Sequence, residues 1–191
     1  MPVAQPSGDL RGFPRRTLAA GSSLWRIHRA DRDPWWFSGS GDGRFDLPAP
    51  AGTCYLATRP AGAFVEVFRD FLVVPAEEVA CRRLSRLRLA HPVLMADLTA
   101  ARARRFGVTA ELHATGEYAA TQAWAAALAA AGLAGLLYLL RHDPSAASRG
   151  VALFGPREIS GLGAMEPPAP IGNRLLDEVQ ARFGIRVLPT P

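Results

Sequence analysis

The stretch 123–140, AWAAALAAAGLAGLLYLL, runs for eighteen residues without a charge, which is the length and apolarity of a bilayer-spanning helix. Two glycines argue against that reading. Gly132 and Gly135 cut the run, and its left part is Ala-rich while its right part is Leu-rich. A helix ending near Ala131 with Gly132 as its C-terminal cap, followed by a buried strand over 136–140, accommodates both halves. The chain must then pack a small-residue helix beside an apolar strand. Composition agrees, because 49 % hydrophobic and 20 % charged residues are ordinary for a domain with a core, and 191 residues suit one domain better than two. Eighteen glycines and sixteen prolines stay below a low-complexity share.

The other elements follow from period and punctuation. Residues 24–29 alternate Leu24, Arg26 and His28 against Trp25 and Ile27, as a strand does. A strand over 53–58 stops at Pro60, and 61–71 reads as an amphipathic helix with Phe64, Phe68 and Phe71 on one face. Strand-like runs at 84–89 and 93–98 flank His91-Pro92, a short helix over 99–106 ends at Gly107, and a last core strand covers 151–154. Residues 161–172 read as a hinge, after which Asn173 caps a helix running to Phe183, with Gly184 beyond it. The first sixteen residues lack an apolar run, so they read as a loose arm and not as a signal peptide. This divides the chain into an arm (1–21), a main domain (22–160) and a hinge with a C-terminal helix packed on it (161–191). Without regular βαβ alternation the expected class is α+β, a mixed or antiparallel β core with flanking helices.

Charge narrows the chemistry. All 22 basic residues are arginine, which excludes Schiff-base lysines and a phosphate-loop lysine and leaves planar forks suited to carboxylate and phosphate. The net charge of +5 favours a phosphate-bearing or nucleic-acid partner, or reflects a solvated basic surface. Cys54 and Cys81 are too few for a disulfide framework, so a cytoplasmic setting is expected. His28, His91, His113 and His142 stand far apart without metal-ligand spacing, and no nucleophile elbow, Walker loop or H-E-x-x-H motif occurs.

Four positions carry chemical interest. In Gly39-Ser40-Gly41-Asp42-Gly43-Arg44-Phe45, glycines let the backbone approach a ligand and offer N–H groups, and Arg44 can fork a phosphate; the same composition also makes an ordinary turn. Glu66 faces away from the Phe stripe beside Gly62 and Ala63, either paired with Arg69 in solvent or set over a cleft floored by small residues. Arg26 on its strand reaches solvent or clamps a ligand, and Tyr55 fills the core or stacks on an aromatic substrate.

The series Leu24-Trp25-Arg26-Ile27, Gly43-Arg44-Phe45-Asp46, Tyr55-Leu56-Ala57, Glu66, Thr121-Gln122, Gly135-Leu136-Leu137-Tyr138, Arg141-His142-Asp143-Pro144-Ser145 and Val151-Ala152-Leu153-Phe154 resembles the RES-domain family over roughly residues 22–157. Those are bacterial proteins, often toxins of toxin–antitoxin pairs, that degrade NAD. The resemblance implies an ADP-ribosyltransferase-like fold and an Xre-type helix-turn-helix antitoxin as partner. It places Arg26, Arg44, Tyr55 and Glu66 at the family's active-site positions, Glu66 and Arg26 as catalytic groups and Arg44, Tyr55 and Arg141 as substrate-binding ones. The chain departs from the pattern at Leu140, which occupies the place of the family's serine. A leucine neither donates nor accepts a hydrogen bond, and losing one donor at a polar transition-state site costs about 10²–10³ in rate. Ser145 and Ser148 lie close enough in sequence to compensate.

The expected activity is cleavage of the nicotinamide–ribose bond of NAD by hydrolysis or phosphorolysis, with NAD as substrate, phosphate as candidate co-substrate, no cofactor and no metal. Glu66 would stabilise the sugar cation, Arg26 and Arg44 the pyrophosphate, and Tyr55 the nicotinamide end. The alternatives are a diverged, inactive domain that binds a nucleotide or a partner protein, an ADP-ribosyltransferase, and a nucleic-acid binder using Arg82, Arg83, Arg86, Arg88, Arg102, Arg104 and Arg105. The first reading requires no membrane and no direct nucleic-acid contact; a homo-oligomer stays open.

Overall fold

The computed structural model describes residues 3–6, 8–68, 71–156 and 162–189. Its strands are β1 (Arg15–Leu18), β2 (Ser23–Arg29), β3 (Ala51–Ala57), β4 (Val73–Pro75), β5 (Arg82–Leu89), β6 (Val93–Asp97), β7 (Gly135–Leu139), β8 (Arg149–Pro156), β9 (Gly163–Met165) and β10 (Arg186–Leu188). Its helices are α1 (Pro60–Phe68), α2 (Ala76–Ala80), α3 (Ala110–Ala114), α4 (Tyr118–Ala130) and α5 (Asn173–Phe183), with a 3-10 helix over Ala101–Phe106. Eight strands make one sheet in the order β1-β6-β7-β8-β3-β2-β5-β9, antiparallel throughout except for the β6–β7 pair. β4 and β10 form a separate parallel pair. The α+β class with a mostly antiparallel core is therefore the observed one.

The run 123–140 divides where its glycines fall. Gly132, one residue past the α4 cap Ala131, takes φ 81°, so a left-handed turn ends the helix at no Cβ cost. β7 then alternates, Leu136 and Tyr138 entering the core shared with α4, Leu137 the core on the other face. Among the described residues no helix is long and apolar enough to cross a membrane. Pro60 opens α1, where its fixed φ suits a first turn, and Phe64 and Phe68 bury against Leu175 and Val179 of α5.

Several expectations need correction. The N-terminal segment is not a loose arm: Leu10 and Phe13 are buried, and β1 pairs with β6 from Arg15↔Ala96 to Leu18↔Val93. Two apolar side chains buried in the core that holds Trp124, Phe13 with its ring centroid 6.1 Å from that of Trp124, outweigh a basic, polar composition. Phe71 lies 61 % exposed and does not continue the α1 stripe, because the described helix ends at Phe68. The supposed hinge contains β9, which adds to β5 at Leu87↔Met165. Gly172, not Asn173, precedes the first turn of α5, and no side chain caps it.

Candidate active site

β2 runs in register with β5 over its whole length, from Ser23↔Arg88 to Arg29↔Arg82, and β3 does the same with β8, from Ala51↔Pro156 to Ala57↔Gly150. The two strands meet each other at one pair only, Trp25↔Ala57. The sheet thus opens between β2 and β3, and a cavity of about 240 Å³ sits at the opening. Trp25, Arg26 and Ile27 of β2 line it, with Tyr55 and Leu56 of β3, Ala63, Glu66 and Val67 of α1, Gly43 and Arg44 of the connecting loop, and Tyr138 of β7.

The chain therefore brings together the four positions carried by the resemblance, Arg26, Arg44, Tyr55 and Glu66. Glu66 is half-buried on α1, and the Tyr138 hydroxyl donates to its Oε2 at 2.8 Å. Arg69, weighed as its ion-pair partner, lies outside the described residues. Arg26 commits Nη1 to the carbonyls of Pro34 (2.7 Å) and Trp36 (2.8 Å) and to Cys54 Sγ (3.2 Å), which anchors the loop after β2. Burial pushes the Cys54 thiol up. Arg44 is buried and donates through Nη1 to the carbonyls of His113 (2.7 Å) and Thr115 (2.9 Å), its guanidinium 5.6 Å from the Tyr118 ring. Neither arginine has a hydrogen-bond partner among the described residues at Nε or Nη2. Each therefore has one fork edge uncommitted among the described residues.

The glycine loop is built differently from a phosphate cradle. Asp46, 2 % exposed, accepts the N–H groups of Gly41 and Gly43 at Oδ2, both at 3.1 Å, and the Tyr55 hydroxyl at Oδ1, 2.9 Å. Tyr55 in turn accepts the Phe45 N–H at 2.8 Å. From α4, Gln122 Nε2 donates to the Gly41 and Gly43 carbonyls at 2.7 and 2.9 Å, and the Thr121 hydroxyl donates to the Arg44 carbonyl. A Cβ on Gly43 would lie 2.3 Å from Asp46 Oδ1 and 2.5 Å from the Tyr55 hydroxyl, so the knot needs a glycine there. Two loop N–H groups thus serve Asp46, and Tyr55, whose hydroxyl serves the loop, also lines the cavity. Burial and the Asp46 charge push the Tyr55 phenol up, and burial with the Glu66 charge does the same at Tyr138; both hydroxyls stay protonated donors.

Other expected residues fall outside the cavity. Arg141 is exposed and lines none of it. Leu140 is 2 % exposed and belongs to the core with Tyr138 and Trp124. Its Cδ1 and the Ser148 Oγ both press on Gly62, at 2.9 and 2.8 Å from where a Cβ would be. Among the described residues the buried Ser148 Oγ has no hydrogen-bond partner, Ser145 donates to Asp143, and neither serine lines the cavity. The seven arginines weighed for nucleic acid divide between β5, near one end of the sheet, and the 3-10 helix after β6, near the other. Among the described residues no three His, Cys, Asp or Glu side chains cluster as a metal site. Tyr138, Asp46 and Gln122 were present in the matched motifs without a role; strand alternation gives the face of Tyr138, but only the docking of α1 aims it at Glu66.

His113 supplies a test of how this scaffold is held. Its carbonyl anchors Arg44, its Nδ1 accepts the Leu139 N–H at 3.3 Å, and burial together with the Arg44 charge lowers its pKa to about 4. An unfolded histidine titrates near 6.5, so between those values the unfolded chain binds more protons and stability falls as pH falls. The expected loss from this group is about 3 kcal/mol by pH 4. His28, also lowered by burial, acts in the same direction. Urea midpoints measured from pH 7 to pH 4 check it; His113→Gln should flatten that slope, and an unchanged slope contradicts the assignment.

An open, mostly antiparallel α+β sheet thus gathers a carboxylate, two arginines and two tyrosines around the cavity at its split. The RES domain model matches residues 23–170, and the chain belongs to the RES-domain family. Among solved structures it is similar to a crystal structure of the M. tuberculosis MbcT–MbcA toxin–antitoxin complex, at 22 % identity and TM-score 0.66, over 86 % of this chain and 92 % of that one. No curated protein matches.

Proposed function

We propose that this RES-domain chain cleaves the nicotinamide–ribose bond of NAD and serves as the toxin of a cytoplasmic toxin–antitoxin pair, held in check by an Xre-type helix-turn-helix protein. The observation that carries the reading is the placement of Glu66, fixed by Tyr138, in one cavity with Arg26 and Arg44. Bond cleavage expels neutral nicotinamide from a cationic pyridinium and moves positive charge onto the anomeric carbon, so the reaction needs a carboxylate beside the sugar more than it needs an acid. Glu66 is that carboxylate. The remaining edges of the Arg26 and Arg44 guanidinium groups suit pyrophosphate oxygens, and the Tyr55 ring bounds the nicotinamide end. About 240 Å³ is below the roughly 300–1,000 Å³ of sites that enclose a whole ligand; the reacting nicotinamide riboside end enters and the adenosine half lies over the mouth.

Water as acceptor gives nicotinamide, ADP-ribose and a proton; inorganic phosphate gives nicotinamide and the 1″-phosphate of ADP-ribose; a protein nucleophile gives an ADP-ribosylated protein. Incubating the purified chain with NAD, with and without phosphate, and identifying the products separates the three. A folded protein that releases no nicotinamide under any of these conditions overturns the proposal. The second reading, a module that holds a nucleotide without consuming it, is favoured by Leu140 and the unpartnered Ser148 hydroxyl next to it; calorimetric titration with NAD then shows binding with the dinucleotide recovered intact.

A further inference from the structure

We propose that Tyr138 is the positioning residue of Glu66, holding the carboxylate at the angle required for reaction through a hydroxyl that never touches the substrate's reacting atoms. This rests on the NAD reading above and deepens it. The phenol donates to Oε2 at 2.8 Å, across 72 residues of sequence, and both side chains line the same cavity.

The tyrosine ring is itself held by two neighbours, Gly150 and Phe45. Its ring lies across Gly150, its register partner on β8, so closely that a Cβ there would fall 2.1 Å from Cζ and 2.4–2.5 Å from the Cε atoms. The Phe45 ring packs on it with centroids 5.0 Å apart and planes inclined at 58°. Phe45 is fully buried, and its backbone N–H is tied to Tyr55. One rigid wall therefore runs from the Asp46–Tyr55 knot through Phe45 to Tyr138 and ends on the carboxylate. A glutamate on a helix surface has three rotatable bonds; a donor with no freedom of its own selects one setting, and a carboxylate aimed in advance costs no reorganisation during the reaction. A hydrogen bond to a charged acceptor has the strength to change a rate by about 10–100-fold.

Steady-state kinetics on NAD with the wild type, Tyr138→Phe, Glu66→Gln and the double variant test this, alongside a pH titration of the Glu66 carboxyl carbon by ¹³C NMR in the wild type and Tyr138→Phe. Expected are a kcat lower by about 10–100-fold in Tyr138→Phe with KM for NAD within about twofold, no further loss when the change is made in Glu66→Gln, and a Glu66 titration displaced to higher pH by the missing donor. A wild-type kcat in folded Tyr138→Phe, or an undiminished effect in the Glu66→Gln background, overturns the positioning role and leaves the NAD reading standing. A wild type that turns over no NAD defeats that reading by itself; the NMR titration then decides the positioning role, and coincident curves overturn it.

Discussion

Glu66→Gln should reduce nicotinamide release from NAD by about 10³-fold while melting within about 2 °C of the wild type. The two parts of this expectation come from different contacts. Gln keeps a carbonyl oxygen to accept the Tyr138 hydroxyl, so the 2.8 Å contact and the packing of α1 on the sheet survive. What disappears is a full negative charge in a half-buried position on the cavity wall, the charge that the proposed NAD cleavage, with its oxocarbenium-like transition state, has most need of. Affinity for NAD should change little, because Arg26 and Arg44 retain their free edges. Product assays and thermal melts on the same preparation provide both readings. A Gln variant with more than a tenth of the wild-type rate would remove Glu66 from the chemistry.

The second large effect is expected at a residue with no side chain. Gly150→Ala places a methyl inside the van der Waals envelope of the Tyr138 ring, at 2.1 Å from Cζ. The ring cannot step aside freely, since Phe45 packs against it and Tyr138 is only 2 % exposed. Overpacking of this kind costs about 1–3 kcal/mol, which for a chain of this size lowers the melting temperature by roughly 2–12 °C. Displacing the ring also withdraws its hydroxyl from Glu66, so the surviving folded fraction should show the lowered kcat expected of Tyr138→Phe. Melting curves and kcat per folded molecule check the pair of effects, and a variant matching the wild type in both would mean that the ring has room the structure does not show.

How much of the site could be read in advance varies with the kind of contact. Sequence motifs point to Arg26, Arg44, Tyr55 and Glu66, and all four line one cavity. Their hydrogen-bond commitments were not legible. Arg44 appeared as a phosphate fork beside a glycine cradle; in the structure one of its nitrogens holds the His113 carbonyl, and the cradle's N–H groups close on Asp46. Arg141 looked equivalent to them and is exposed. An arginine that follows a strand can turn either way, and periodicity along its own segment contains nothing about the neighbour that decides it.

The edge strand β1 is illegible in the sequence for a related reason. Its sequence, RRTL, has no apolar alternation of its own, and its place comes from pairing with β6 while Leu10 and Phe13, just before it, anchor in the core.

Amino-acid order alone determined the local facts of this protein: that 123–140 breaks into helix and strand at its glycines, that β2 alternates, and that the chemistry has arginine, tyrosine and glutamate but no lysine to work with. Those facts follow from backbone freedom, side-chain period and functional groups present, all properties of neighbours along the chain. Tertiary structure alone decided that β2 and β3 part after a single pair, that Tyr138 meets Glu66 across 72 residues, and that a glycine on β8 sets the position of a ring on β7. Such contacts depend on register and on the docking of one element against another, and no short window of sequence contains both partners.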